Sequence, residues 1–304
     1  MAVSTKNQST GINISGHTQP FAVLGHPIGH TLSPVMHNAA FRALGMDAVY
    51  LAFNVAPEHL PAVIEAMEHM GFRGVNLTVP LKEVAYHALA DLDPSAQMLG
   101  AVNTLERCSH GWRGHNTDGY GFVQALYEAF GIRVGGLSVL VLGVGGAGRA
   151  VAITCASEGA RKLFLTDAAP ARAQQVAQAL SQTCPALPVI TVPAKAEALE
   201  RTAREADLIV QATPVGMRPE DPPLLGPNAF RRGHFVLDLI YMYPCTAFMR
   251  VAAEAGAKTV NGLGMLLHQG ARAFDIWTGR SAPLDVMRTA LEAAVYGKCS
   301  GGGP

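Results

Sequence analysis

Two stretches of the sequence hold residues whose type and spacing could do chemistry. The first is Lys82, which falls in the opening turn of an expected helix, Leu81 to Leu92. At that end the helix dipole repels a cation and favours an acid such as Glu83. A lysine whose ammonium form is disfavoured can exchange protons, which is general acid and base chemistry; a solvated surface lysine is the plain alternative. Asn76 and Thr78 lie just before it, at the C-terminal end of an expected strand, Gly74 to Val79, where ligands of α/β sheets gather.

The second stretch is built to hold a dinucleotide. Val139 to Leu142 is a short apolar run of the kind that fills a buried parallel strand, and Gly143, Gly145 and Gly148 read G-x-G-x-x-G at its exit, with Gly146 and Ala147 between them. A helix, Arg149 to Ser157, follows and stops at Gly159; a second strand, Leu163 to Thr166, ends at Asp167. Strand, glycines, helix, strand and acid come in the order that gives the motif its meaning. The glycines let the backbone approach a pyrophosphate, which the N–H groups of the helix N-terminus hold. The Asp167 carboxylate suits a ribose diol and repels a 2′-phosphate, and Ala168 and Ala169 supply no cation to offset it, so NAD is expected over NADP. Arg172 can reach back toward the same ribose.

Other polar residues admit two readings each. Thr31 and Ser33 stand at a helix opening before Pro34, where Ser33 is an ordinary N-cap or, with Thr31, a carboxylate ligand at the positive end of the dipole. Asn103 is a strand-end amide that satisfies backbone or meets a ligand, and Asp118 is an N-cap or a reactive carboxylate. Gln269 shares a helix face with Met265, Ala273 and Ile276, where an unpaired amide is costly unless something bonds it. The turn Ala212 to Met217, with Thr213, leaves the sheet on its ligand side, and Leu239 and Tyr241 follow another strand into the same cleft. His26 and His30 are four apart, but Pro27 and Gly29 argue against the helix that would align them, so no metal site is expected.

The elements that must position these groups alternate. Strands are expected at Phe21 to Gly25, Val49 to Phe53 and Gly74 to Val79, with helices at Pro34 to Leu44 and Pro57 to Met70 between them. A hairpin pairs Ala101 to Glu106 with Trp112 to Asn116 around Arg107 to Gly111, and a helix runs from Gly119 to Phe130. Beyond Asp167 come helix Ala171 to Leu180, strand Val189 to Val192, helix Lys195 to Glu205, and strands Leu208 to Ala212 and Phe235 to Leu239. This alternation implies a parallel sheet wrapped on both faces. From Asn261 two helices follow with no further strand, and they are expected to return to the first domain. The fold class is α/β with two domains: residues 1–120 plus 263–304 bind substrate, and residues 121–262 form a Rossmann-like, doubly wound domain.

With 304 residues, 49% of them hydrophobic and 15% charged, the chain has ample core for two domains. Lys and Arg number 23 against 23 Asp and Glu, without a basic cluster, which gives no footprint for nucleic acid or an anionic membrane. Five scattered cysteines, Cys108, Cys155, Cys184, Cys245 and Cys299, lack a C-x-x-C and favour a reducing cytoplasm over a disulfide framework. The first twenty residues read as a polar leader without an apolar core, and the last few, SGGGP, as low-complexity chain.

Read together, GHPIGHTLSPVMHNAAF, NLTVPLKE, GAVNT, GHNTDGYGF, LGVGGAGRA, ATPVGM, DLIYMYP and MLLHQGARAF resemble the shikimate dehydrogenase family, including its quinate/shikimate members. The resemblance runs in order from Phe21 to Phe274. It implies that Lys82 is the catalytic lysine and Asp118 its partner. It also implies that Thr31 and Ser33 hold the substrate carboxylate, that Thr78, Asn103 and Gln269 bind ring hydroxyls, and that Tyr241 contacts the substrate. Leu239 and Gly262 would lie at the nicotinamide. The implied reaction is reversible oxidation of a ring secondary alcohol of shikimate or quinate, with hydride passing to NAD and the proton to the Lys82 and Asp118 couple. The protein would work as a monomer or homodimer on a small cyclic polyol acid. Two departures stand out: Thr31 replaces the family's first serine and narrows the carboxylate end, and Asp167 to Arg172 replaces the N-R-T-x-x-R run of NADP-type members. The rival expectations are a paralogue acting on another hydroxylated or aminated ring acid, and a non-catalytic regulatory protein that binds NAD or a metabolite.

Overall fold

The structure is a computed structural model describing residues 14–297. The first thirteen residues of the polar leader, Cys299 and the terminal glycine run lie outside the described residues. The first half contains β1 (Gln19–Gly25), α1 (Ser33–Ala43), β2 (Ala48–Asn54), α2 (Leu60–His69), β3 (Gly74–Leu77), α3 (Leu81–Ala88), β4 (Asp91–Leu92), α4 (Pro94–Leu99), β5 (Thr104–Cys108), β6 (Gly111–His115) and α5 (Asp118–Phe130). Its strands form one sheet in the order β2-β1-β3-β5-β6-β4, parallel at β1/β2, β1/β3 and β4/β6 and antiparallel where β5 meets β3 and β6.

The second half contains β7 (Ser138–Leu142), α6 (Gly146–Ser157), β8 (Lys162–Thr166), α7 (Pro170–Thr183), β9 (Val189–Thr191), α8 (Ala196–Glu205), β10 (Leu208–Gln211), β11 (Phe235–Asp238), α9 (Ala247–Glu254) and β12 (Lys258–Asn261). These six strands are all parallel, in the order β12-β11-β10-β7-β8-β9. The order reverses between β7 and β10, and the glycine turn leaves β7 at that switch point, where the crevice of a doubly wound sheet opens. Apolar side chains cover both faces of this sheet, with Val139, Val141, Val151 and Leu165 on one and Leu140, Leu142, Ile209 and Phe248 on the other.

Finally α10 (Leu263–Thr278) and α11 (Leu284–Tyr296) return to the first sheet. Leu267, Phe274, Met287 and Leu291 pack with Phe21, Val23, Met36 and Tyr50 in one buried cluster. The expected boundary at residues 120 and 121 falls inside α5, a continuous helix. Phe122, Ala125 and Leu126 of that helix join the second sheet's core together with Met265 of α10. Thus α5 and α10 are the paired struts that join the two halves.

Several expectations shift. The helix expected from Leu81 to Leu92 ends at Ala88, and Asp91–Leu92 pairs with β6 instead. The chain turns extended at Leu89, and beyond the short strand Asp93 caps a new short helix, α4, through the Ser95 N–H at 3.0 Å. The hairpin slides toward its turn, because Ala101 to Asn103 is irregular chain rather than strand. The segment α9 with β12 was not expected: Thr246 caps α9 by accepting from Met249 N–H, and β12 adds the sixth strand of the second sheet.

Candidate active site

Lys82 sits in the first turn of α3, and Asp118 opens α5. The lysine Nζ lies 2.6 Å from Asp118 Oδ2, with the two side chains only 18% and 9% exposed. The second carboxylate oxygen is held as well: Asn103 Nδ2 donates to Asp118 Oδ1 at 2.9 Å. Asn103 comes from the irregular chain before β5, which is itself tied to α3 by Val102 N–H donating to the Lys82 carbonyl at 2.9 Å. One loop, one helix N-terminus and the next thus fix an ammonium, a carboxylate and an amide in a row. Because both amide hydrogens of Asn103 are engaged, by Asp118 and by Thr117 Oγ1 at 3.0 Å, this residue orients the couple in the structure as it stands.

Ser33 is not the N-cap that its place before Pro34 suggested. Leu32 holds the cap position without a side-chain bond, and Ser33 is the first helical residue, so its hydroxyl is not consumed by the helix. Thr31 Oγ1 donates to Ser33 Oγ at 3.3 Å, which places two hydroxyls together at the positive end of α1. Thr78 is half-buried beyond β3, and its methyl group crowds Gly25 at the end of β1. Gln269 Nε2 donates to the Leu266 carbonyl at 2.9 Å; at this level α5 approaches α10 so closely that a side chain on Gly121 would meet Gln269 Cβ at 2.8 Å. Tyr241 leaves the second sheet after β11 and packs against the cluster beneath α1 and α10, where burial pushes its phenol above the ordinary value.

The glycine turn presents a different surface. Gly143 has φ +87°, which a side chain rarely tolerates, and a Cβ on Gly148 would lie 1.9 Å from the Gly143 carbonyl oxygen. Those two glycines are demanded by the protein itself. Gly145 and Gly146 are not: their backbone is ordinary and a Cβ on either would meet nothing within 4 Å. Together with exposed Ala147, they leave bare backbone at the N-terminus of the 12-residue α6, the form a pyrophosphate needs. Thr213 packs its methyl group over Gly143 from the turn after β10.

Asp167 stands at the end of β8, buried beside this turn. Its Oδ2 accepts from Val144 N–H and its Oδ1 from Ala169 N–H, both at 2.9 Å, while Arg172 approaches Oδ1 at 3.4 Å with a side chain 56% exposed. The carboxylate is therefore fixed in place against the cradle, with lone pairs left over for further donors. Leu239 and Gly262 meet directly, since a Cβ on Gly262 would lie 2.2 Å from the Leu239 carbonyl oxygen.

One residue of this region escaped the sequence reading. Asp238, fully buried at the end of β11, accepts from Ile240 N–H at 3.1 Å and from Thr246 Oγ1 at 2.6 Å, and so folds the loop that carries Leu239 and Tyr241. Burial raises its carboxyl to about 6. An acid ending a strand in Asp238-Leu-Ile-Tyr was the only signal. A cavity of about 510 Å³ among α4, α5, α6 and α10 contains none of the expected site residues. Among the described residues no cluster of histidine, cysteine and acidic side chains could hold a metal ion, the four cysteines are free thiols, and no helix is long and apolar enough to cross a membrane.

Two family models match the chain: the shikimate dehydrogenase substrate binding domain over residues 23–105, and the shikimate 5′-dehydrogenase C-terminal domain over residues 262–292. A protein of Moorella thermoacetica named shikimate dehydrogenase (NADP(+)) is 44% identical over 294 residues, covering 96% of this chain and 98% of its own. The chain belongs to the shikimate dehydrogenase family. A Methanopyrus kandleri member with the same name is 40% identical over 290 residues, covering 93% of this chain and 98% of its own. Among solved members, the Listeria monocytogenes shikimate 5-dehydrogenase in complex with shikimate and NAD superposes with a TM-score of 0.85 at 36% identity, covering 91% of this chain and 98% of its own. The family resemblance, the α/β architecture and the class of oxidoreductase acting on CH–OH read from the sequence all hold.

Proposed function

We propose that the protein oxidises a ring secondary alcohol of shikimate reversibly, with NAD as the preferred coenzyme and Lys82 and Asp118 as the catalytic residues. The observation that carries this reading is the 2.6 Å contact of Lys82 Nζ with Asp118 Oδ2, its other oxygen already held by Asn103. A bound nicotinamide supplies the hydride acceptor. For alcohol oxidation the couple enters short of one proton and Lys82 takes the substrate's hydroxyl proton; for ketone reduction the ammonium returns it. Asp118 stabilises the ammonium at the moment it forms. Thr31 and Ser33 receive the carboxylate, Thr78 and Gln269 orient the ring hydroxyls, Asn103, its amide hydrogens already engaged, holds Asp118 rather than the ring, and Tyr241 closes the pocket from the second half.

The coenzyme would lie on Gly143, Gly145, Gly146, Ala147 and Gly148, with Thr213, Leu239 and Gly262 along the nicotinamide arm. Asp167 favours NAD because its carboxylate, fixed by the Val144 and Ala169 N–H groups, suits a ribose diol and exposed Ala168 brings no cation; the exposed Arg172, 3.4 Å from Oδ1, reaches the same ribose. In this reading the first sheet with α10 and α11 forms the substrate domain and β7 to β12 with their helices the coenzyme domain, in a cytoplasmic monomer or homodimer. Thr31 supports a second substrate, quinate, since its methyl group reshapes the carboxylate end.

A steady-state panel of shikimate and quinate against NAD and NADP tests all of this at once. The expected result is the highest kcat/KM for shikimate with NAD. Tight binding of NAD without nicotinamide reduction by either acid would instead favour a regulatory protein.

A further inference from the structure

The helix-covered face of the first sheet holds a line of polar side chains that ends on the reactive couple. Tyr50 of β2 donates its hydroxyl to Asn76 Oδ1 at 2.6 Å. Asn76 of β3 donates through Nδ2 to Thr104 Oγ1 at 3.0 Å, directly across the antiparallel pairing of β3 with β5. Thr104 donates to Asn103 Oδ1 at 2.8 Å, and Asn103 donates to Asp118 Oδ1. Tyr50, Asn76, Asn103 and Thr104 are between 0% and 6% exposed, far below what chance would leave for four polar side chains, so each must be bonded.

The bonds also share one polarity. Every donor points from Tyr50 toward Asp118, and backbone groups fix both amides in that sense. Asn76 Nδ2 also donates to the Asn103 carbonyl at 3.0 Å, and Asn103 Oδ1 also accepts from Thr117 N–H at 2.9 Å. Hydrogen bonds chained in one direction polarise one another, and the chain ends on a carboxylate, the strongest acceptor available. At its head, the Tyr50 ring is stacked on His37 with centroids 4.4 Å apart, and its hydroxyl also neighbours that of Ser33.

We propose that Tyr50, Asn76 and Thr104 are positioning residues for the catalytic couple: a donor-ordered relay that locks the Asn103 amide and thereby aims Asp118 at Lys82. The inference deepens the reading of the site given above and rests on it for its kinetic consequences. Without the Thr104 hydroxyl, Asn103 Oδ1 keeps only the Thr117 donors, the amide is held less firmly, and the carboxylate's second anchor loosens. The substrate-binding hydroxyls are not touched by that change, so turnover falls while KM holds.

The test is Thr104→Val, with Thr104→Ser as rescue and Tyr50→Phe as a second cut in the chain that leaves β5 intact. Thr104→Val should lower kcat with shikimate about tenfold, the scale of one hydrogen bond to a charged group, with KM changed less than about threefold. Thr104→Ser should recover most of the loss, and Tyr50→Phe should show a smaller loss of kcat, while its KM also responds to the Ser33 hydroxyl beside the phenol. A second readout needs no turnover: in the resting protein, the side-chain amide protons of Asn103, followed by NMR, should exchange with water about tenfold faster in Thr104→Val and in Tyr50→Phe. Unchanged kcat and unchanged amide exchange in both variants would overturn the relay. A wild-type protein without turnover on shikimate would overturn the substrate reading alone, because the amide exchange would still report the relay.

Discussion

The two halves of the site solve opposite problems. Around Lys82 and Asp118 the protein uses side chains held by other side chains: ammonium, carboxylate, amide and hydroxyls are bonded to one another before any ligand arrives. Around the glycine turn it uses the absence of side chains, with bare backbone at Gly145 and Gly146 and open space above them. The difference follows from what each half must handle. Proton transfer needs donors and acceptors preset to a few tenths of an ångström, which only a packed network provides. A pyrophosphate needs N–H groups and room, which a side chain would obstruct.

This contrast predicts different kinds of failure on the two sides. The largest effect is expected at the couple: Lys82→Ala should lower kcat about a hundredfold or more while substrate affinity changes far less, read by steady-state kinetics. Full turnover with weakened binding would make the lysine a mere ligand and dissolve the distinction. On the glycine side, two substitutions one turn apart should fail differently. Gly148→Ala forces a Cβ against the Gly143 carbonyl oxygen and should cost about 1–3 kcal/mol in denaturant unfolding. The Cβ of Gly145→Ala meets no protein atom within 4 Å, so unfolding should be nearly unchanged while NAD affinity falls about tenfold or more by titration calorimetry. Equal stability losses for both would mean that the turn is shaped by packing alone.

A subtler change sharpens the coenzyme side. Ala168→Arg adds a cation at an exposed position beside Asp167 and should move the NADP to NAD ratio of kcat/KM upward about tenfold, a gain of one charge-assisted phosphate contact. The smallest effect near neutral pH belongs to the network side. His37 is fully buried beneath α10 with neither ring nitrogen bonded, and burial lowers it from 6.5 to about 3. The unfolded chain therefore binds this proton below pH 6.5 while the folded one refuses it. Stability should fall by about 1.4 kcal/mol for each pH unit between 6.5 and about 3. His37→Phe should flatten that slope in pH-dependent unfolding; an unaltered slope would show that other groups set it.

The glycine side was the more legible of the two in the sequence. Strand, glycine spacing, helix and terminal acid are local features, and residues 139–167 carry the whole pattern without reference to any other segment. The first sheet was read less well because its site is assembled from β3, α3, the chain before β5 and α5. Asn103 showed this plainly: a residue in irregular chain expected as strand, whose amide turns out to be committed to Thr117 and Asp118. Ser33 had two readings, cap or carboxylate ligand, and only the fold removed the first, because Leu32 occupies the cap position.

By itself, the sequence determined the alternation of elements, the doubly wound half, the dinucleotide turn and the identity of each chemical group, because these depend on periodicity and on neighbours within one turn or strand. Only the tertiary structure decided which groups meet. The 36-residue separation of Lys82 from Asp118, the pairing of Asn76 with Thr104 and the closure of α10 over Tyr50 depend on sheet order and packing, which side-chain identity alone does not encode. A carboxylate becomes half of a proton couple when a fold excludes water from it and supplies its partner, and both of those are properties of the assembled sheet.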